Sequence, residues 1–309
     1  MCGVFGIIVK QGASCNQSSF HRSIINLFNL SEPRGREASG LVIATGDDIS
    51  VFKRPVAPSS MLRSSGFKEF IKTSEAGYKV DDDGKTLQAY SAIGHCRLVY
   101  NGTETVVGNN QPIISSTSVG VHNGLVTNDE ELWVHHADME RKLDTDSEII
   151  FQLIDNFVSK GEALPQAISS TFSELTGSAS LGFFRTDAQL MALATNTGSI
   201  YWVHFEKTGI FVFASEKFIL EQFIDNGSLD KKTTNGAVNQ LPPNNGMIVP
   251  FKDATPQVFG FERTENVSLD ATLKPHLSVI DMSDHLKNVR HCKKCILPDS
   301  YPFIEFDHN

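Results

Sequence analysis

The sequence contains no apolar run approaching the roughly 20 residues that span a bilayer, so nothing in it reads as a membrane helix. Its first residues also lack the basic stretch and small-residue cleavage site of a secretory leader, which marks the N-terminus as working sequence. Disulfide-type cysteine usage is missing too. The five cysteines are an odd number without framework spacing, as expected of a chain in a reducing cytoplasm whose thiols serve chemistry or metal. Nor is there any basic excess: 27 Lys and Arg stand against 36 Asp and Glu, a net charge of −9. That balance argues against nucleic acid and anionic membrane as partners. Internal repeats and low-complexity tracts are also absent. What is present is 309 residues, 40 % hydrophobic and 20 % charged, enough for one large domain or a domain with an appendage.

The pattern opens on a β-branched run over residues 4–9, which predicts a strand. Residues 18–30 place Phe20, Ile24, Leu27 and Phe28 at helical spacing behind a polar start. A turn-rich link at 34–40 leads to strands at 41–45 and 49–53. Residues 55–65, rich in Pro and Ser, read as a loop long enough to act as a lid. Further strands are predicted at 89–99 and 118–122, then amphipathic helices at 146–158 and 164–175. Four strands between 179 and 214, a helix at 216–224 and a strand at 246–251 complete the pattern. This order fits an α+β fold in which two sheets pack face to face with helices on the outer faces. Residues 252–290 carry weak periodicity and read as a connector, and 291–309 as the start of something else.

Cys2 is the first candidate for chemistry. Removal of Met1 would leave a residue carrying both a thiol and a free α-amine. With an ordinary pKa of roughly 7.7–8.0, that amine is neutral often enough near pH 7.5 to take the thiol proton. The plain alternative is an edge strand with a buried cysteine. Amide attack also needs an oxyanion hole and a grip on the substrate. Arg97 can hold a carboxylate through two parallel hydrogen bonds, or be a surface ion pair. The Asn123 side-chain amide and the Gly124 N–H can donate to an oxyanion, or form a hairpin turn. Asp146, at a helix start, can pair with a substrate ammonium, or be a cap. His95 and His122 flank these residues and read as packing or hydrogen-bonding groups, because the mechanism already has its base.

Six motifs occur in a fixed order: Met-Cys-Gly-Val-Phe-Gly, Arg34-Gly-Arg-Glu-Ala-Ser-Gly40, Gly94-His-Cys-Arg-Leu-Val-Tyr-Asn-Gly102, Asn110-Gln-Pro112, Val121-His-Asn-Gly-Leu-Val-Thr-Asn128 and Asp144-Thr-Asp-Ser-Glu148. Together they resemble the glutaminase domain of class II glutamine amidotransferases, among them asparagine synthetase, over residues 2–251. Ala214-Ser-Glu216 resembles that family's later Ser-Glu element. The resemblance implies a four-layer αββα N-terminal nucleophile hydrolase sandwich. It implies Cys2 as nucleophile, Asn123 and Gly124 as oxyanion hole, Arg97 and Asp146 as anchors of L-glutamine, and Leu98 and Val99 as pocket backbone. Residues 55–65 would close over glutamine. No cofactor is implied for the glutaminase reaction. Two departures, Glu37 where the family commonly has Asp and Leu98-Val99-Tyr100 in place of an aromatic-small-Thr run, bear on branch and pocket shape rather than on the reaction.

Cys292 and Cys295 have the spacing of half a zinc knuckle, a site that needs two further ligands. This segment resembles the opening of the ATP-using synthetase domain of N-acetyl sugar amidotransferases. That likeness implies an ATP-pyrophosphatase-type synthetase domain or subunit as recipient of the ammonia, with ATP used there alone. The rival expectations are another N-terminal nucleophile amidohydrolase, or an idle glutaminase-like regulatory or scaffolding domain.

Overall fold

Seven consecutive buried residues form strand β1 (Gly3–Val9). A strand covered on both faces needs apolar side chains on both, which is why its sequence runs without alternation. The computed structural model describes residues 2–46, 48–99, 102–227, 229, 236–261 and 278–281. After β1 come helix α1 (Gln17–Ser31), capped by Asn16, and a hairpin of β2 (Ala38–Thr45) and β3 (Asp48–Arg54). Helices α2 (Pro58–Arg63) and α3 (Ser65–Glu75), strands β4 (Tyr90–Arg97), β5 (Ile113–Ile114) and β6 (Ser118–Val126), and the short helix α4 (Asp129–His135) follow. Helices α5 (Ser147–Ser159) and α6 (Leu164–Glu174) lead into a meander of β7 (Gly177–Arg185), β8 (Leu190–Thr195), β9 (Tyr201–Phe205) and β10 (Ile210–Ala214). Helix α7 (Lys217–Asp225) precedes β11 (Asn239–Gln240), β12 (Asn245–Pro250), β13 (Gln257–Gly260) and β14 (Ser278–Asp281).

Two sheets result. One has the order β11-β9-β10-β1-β4-β2-β3-β14, the other β13-β12-β8-β7-β6-β5. Val4 and Ile8 face the second sheet, where they meet Val119, Val121 and Phe184. Phe5, Ile7 and Val9 face the helices instead, against Ile24, Leu27 and Phe28 of α1. On the far side of the second sheet, Ile149, Ile150 and Leu153 of α5 pack on Leu181 and Phe183. Each such side chain contributes about 1.5–3 kcal/mol by leaving water. The layers are therefore α, β, β, α, the N-terminal nucleophile hydrolase architecture, as expected.

The structure departs from the sequence expectations in several places. Residues 55–65 are not a free loop. Pro58 sits in the first turn of α2, where its missing N–H costs nothing, and Met61 is fully buried. Ser59 donates its N–H and hydroxyl to Glu32 at 3.2 and 2.9 Å, which pins α2 to the end of α1. Asn123 and Gly124 are not a hairpin turn but ladder residues of β6, opposite Ser180 and Ala179. The second sheet also runs past residue 251: β13 pairs with β12, and Phe259 and Phe261 pack near Phe172. Cys292 and Cys295, and most of the expected connector, lie outside the described residues. Among the described residues no helix is long and apolar enough to cross a membrane.

Candidate active site

The register of β1 and β4 places the site. Gly3 lies opposite Cys96, so the chain running back from Gly3 to Cys2 meets Arg97 and Leu98 at the end of β4. Ile93 of β4 faces the second sheet, and by alternation His95 and Arg97 share its face. Cys2 is buried. The Leu98 N–H donates to its Sγ at 3.4 Å, and the thiol in turn donates to the Leu98 carbonyl at 3.5 Å. Burial pushes the Cys2 thiol above its ordinary value, with Asp146 adding to the rise, while the Leu98 amide and the Arg97 charge pull it down. A proton acceptor beside the sulfur therefore matters more here than for an exposed thiol.

Arg97 is a buried cation rather than a surface ion pair. Its Nη1 donates to Asn110 Oδ1 at 2.5 Å and its Nη2 to the Gly102 carbonyl at 3.2 Å. Burial lowers its pKa, and the nearby Cys2, Glu104, Asp146 and Glu37 oppose that shift. Asn110 is itself fixed by buried Lys53 on β3, whose Nζ donates to the carbonyls of Gly108, Asn110 and Pro112 at 3.2, 2.9 and 3.2 Å. The Asn-Gln-Pro motif thus orients the guanidinium, a role its sequence did not declare. Gln111 of the same motif clamps β6: its side chain accepts from His122 N at 2.5 Å and donates to His122 O at 3.0 Å.

Asn123 is 3 % exposed, and both polar atoms of its side chain are buried without a hydrogen-bond partner. An orphaned buried amide costs about 1–3 kcal/mol. A group kept at that cost is what a ligand-binding donor looks like before its ligand arrives. The next residue has to be glycine, because a Cβ on Gly124 would lie 2.0 Å from the Ser178 carbonyl oxygen. Asp146 occupies the position before α5, yet its side chain makes no capping bond. Its Oδ2 accepts instead from Val126 N at 2.9 Å, which ties the start of α5 to the end of β6.

The flanking histidines differ. His122 Nδ1 lies 3.0 Å from Ser147 Oγ and Nε2 3.4 Å from the Ser178 carbonyl, the contacts of a fastening residue. His95 is wholly buried next to Arg97 and His122 without a well-formed hydrogen bond. Leu98 and Val99, half-buried, follow directly after β4. Cys2, Arg97, Leu98 and Asp146 are thus gathered at one end of the inter-sheet space, and Asn123 faces that space from β6. A cavity of about 790 Å³ bordered by Lys10, Trp202 and His204 lies at the other end of β1, remote from this chemistry.

Residues 95–222 match a family described as a glutamine amidotransferase domain. The isomerizing glutamine–fructose-6-phosphate aminotransferase of Caulobacter vibrioides is 31 % identical over 201 residues, 64 % of this chain and 29 % of that protein. The Bacillus subtilis protein of the same description is 27 % identical over 190 residues, 60 % of this chain and 27 % of its own length. The chain thus spans under a third of the length of these curated relatives. The solved structure of B. subtilis glutamine phosphoribosylpyrophosphate amidotransferase superposes with a TM-score of 0.56 at 19 % identity, covering 84 % of this chain and 49 % of that one. A structure described as the allosteric regulatory enzyme of purine biosynthesis gives 0.57 at 20 % identity, with the same coverage. Family match and shared fold agree: residues 95–222 match a glutamine amidotransferase domain, and the chain has the fold of, and is similar to, the class II glutamine amidotransferases.

Proposed function

We propose that this chain hydrolyses the side-chain amide of glutamine and passes the ammonia on. The observation that carries the reading is the unpartnered Asn123 amide, facing the space where the Cys2 thiol meets Leu98 and buried Arg97. Once Met1 is removed, the Cys2 amine takes the thiol proton and the thiolate adds to the glutamine amide carbon. The oxyanion that forms is held by Asn123 Nδ2 and the Gly124 N–H; one such donor is typically worth about 3–4 kcal/mol. Collapse of the adduct expels ammonia, which leaves with the proton from the Cys2 ammonium. Water then cleaves the γ-glutamyl thioester, restoring the thiol and releasing glutamate. Arg97 binds the α-carboxylate and Asp146 the α-ammonium, with Leu98 and Val99 lining the pocket.

The ammonia goes to a synthetase domain or partner subunit of asparagine-synthetase or sugar-amidotransferase type, and ATP is used there rather than at Cys2. The short share of its relatives that the chain spans supports this division of labour, since the aminotransferases hold most of their length outside the matched region. Zinc at Cys292 and Cys295 would belong to that synthetase portion.

The test is the purified protein with glutamine. Intact mass shows loss of Met1, glutamate appears, and a glutamine-like electrophile labels Cys2 and stops turnover. Retained Met1 with no glutamate released would point to an idle domain. Equal use of asparagine would overturn the assignment of Arg97 and Asp146.

A further inference from the structure

Two motifs are left without a task by the reaction above, Arg34-Gly-Arg-Glu37 and Ala214-Ser-Glu216, and they meet at the residue that carries the nucleophile. Strand β1 begins at Gly3, so Cys2 lies just outside the regular ladder. Its main chain is held by other means. Arg34 Nε donates to the Cys2 carbonyl at 3.4 Å, and the Arg34 guanidinium is ion-paired with the Glu216 carboxylate. Glu216 precedes α7 without capping it. Ser215 fastens the next part of the chain, accepting from Val4 N at 3.2 Å and donating to Val4 O at 2.8 Å. Between them, a Cβ on Gly3 would come within 2.8 Å of the Ser31 carbonyl oxygen and 3.2 Å of Arg34 Cβ, so the bare backbone there lets Arg34 lie flush over the chain.

We infer that Arg34, oriented by Glu216, is a positioning residue that fixes the main chain of Cys2 and thereby the direction of its thiol. The inference rests on Cys2 being the nucleophile. Base and nucleophile share one Cα in this residue, so fixing the Cys2 carbonyl sets where both groups point relative to the Leu98 amide. A displacement of about 1 Å at a reacting atom can cost about 100-fold in rate. The glutamine anchors sit on other elements, Arg97 on β4 and Asp146 before α5.

The experiment uses Arg34→Ala, Glu216→Ala and Glu216→Gln in the full chain, with two readouts. For glutamine hydrolysis, kcat falls about 10- to 100-fold in Arg34→Ala and less in Glu216→Ala, while KM stays within threefold. Glu216→Gln, which keeps an acceptor for Arg34, stays within threefold of the parent. The second readout is iodoacetamide labelling of each cysteine, followed by mass spectrometry, and needs no turnover. Released from the clamp, Cys2 labels at least fivefold faster in Arg34→Ala, whereas buried Cys15 and Cys96 label at the parental rate. Unchanged Cys2 labelling in both alanine variants overturns the clamp, and so does labelling that rises in step with Cys96, which signals general opening. Should Arg34→Ala not fold, the two Glu216 variants decide by the same criteria. A parent protein that hydrolyses no glutamine would sink the proposed reaction, and the labelling would still judge the clamp.

Discussion

Val126 donates its backbone N–H to the Asp146 carboxylate at 2.9 Å, so the residue expected to hold the substrate ammonium also ties α5 to the strand that carries Asn123. The two duties separate by substitution. Asp146→Asn keeps an oxygen for Val126 and loses the charge, so the KM for glutamine rises about 10- to 100-fold with little change in melting temperature. That range corresponds to one charge-assisted hydrogen bond of about 1.5–3 kcal/mol. Asp146→Ala orphans the Val126 N–H as well and adds a stability loss of about 1–3 kcal/mol. Steady-state kinetics and thermal melts on the pair check this; equal melting temperatures for the two variants would count against the structural duty.

Asn123 makes the opposite forecast. Its side chain has no partner in the folded protein, so Asn123→Ala removes no hydrogen bond and the melting temperature holds or rises. Turnover falls about 100- to 1,000-fold, the usual cost of one oxyanion donor, with KM little altered. Kinetics and melts on the one variant measure both sides. A clear loss of stability would show that the amide is a structural group after all.

Lys53 is the support that sequence reasoning passed over. Lys53→Met keeps the bulk of the stem and leaves the carbonyls of Gly108, Asn110 and Pro112 without their shared donor. The expected result is a melting temperature lower by several degrees and a raised KM, because Asn110 no longer holds Arg97 in place. An unchanged KM alongside the lowered melting temperature would mean that Arg97 is oriented by its other contacts.

The layered fold was legible because its signals are local. The unbroken apolar run of β1 and the 3.6-residue periodicity of α5 each report which faces are covered, and the order of elements then leaves few ways to stack them. The types and order of Cys2, Arg97, Asn123 and Asp146 could also be read as candidates along the chain. What could not be read was their setting. Asn123-Gly124 looks like a hairpin turn until the register of β6 on β7 places it inside a ladder. Asp146 looks like a cap until its oxygen is found on Val126. Arg34 and Glu216 are 182 residues apart in the chain, and no local pattern announces that they meet. The α2 helix is hidden in the sequence for a different reason: Pro58 reads as a loop signal, yet it marks a helix start.

His95 lends the fold a pH dependence of defined sign. It is fully buried, and its pKa is pushed down to about 3, first by burial, then by the charge of Arg97 and the presence of His122. In the unfolded chain the same group titrates near 6.5. Between about pH 6.5 and 3 the unfolded state therefore binds a proton that the folded state refuses. The stability contributed by the neutral ring is fully present above the unfolded value and is lost as pH falls through that window, at about 1.4 kcal/mol per pH unit for one proton. His122 is also held below its ordinary value by burial, with Asp146 opposing, and acts in the same direction. Urea titrations between pH 7 and 4 should show stability falling with pH in the parent protein, and falling less steeply, by up to one proton's worth, in His95→Leu. Carboxylates titrate in both proteins, so the difference between the two slopes reports His95 together with its effect on neighbouring His122. Parallel slopes would mean that the ring takes up its proton inside the fold, and the account of a neutral imidazole sealed beside Arg97 would have to go.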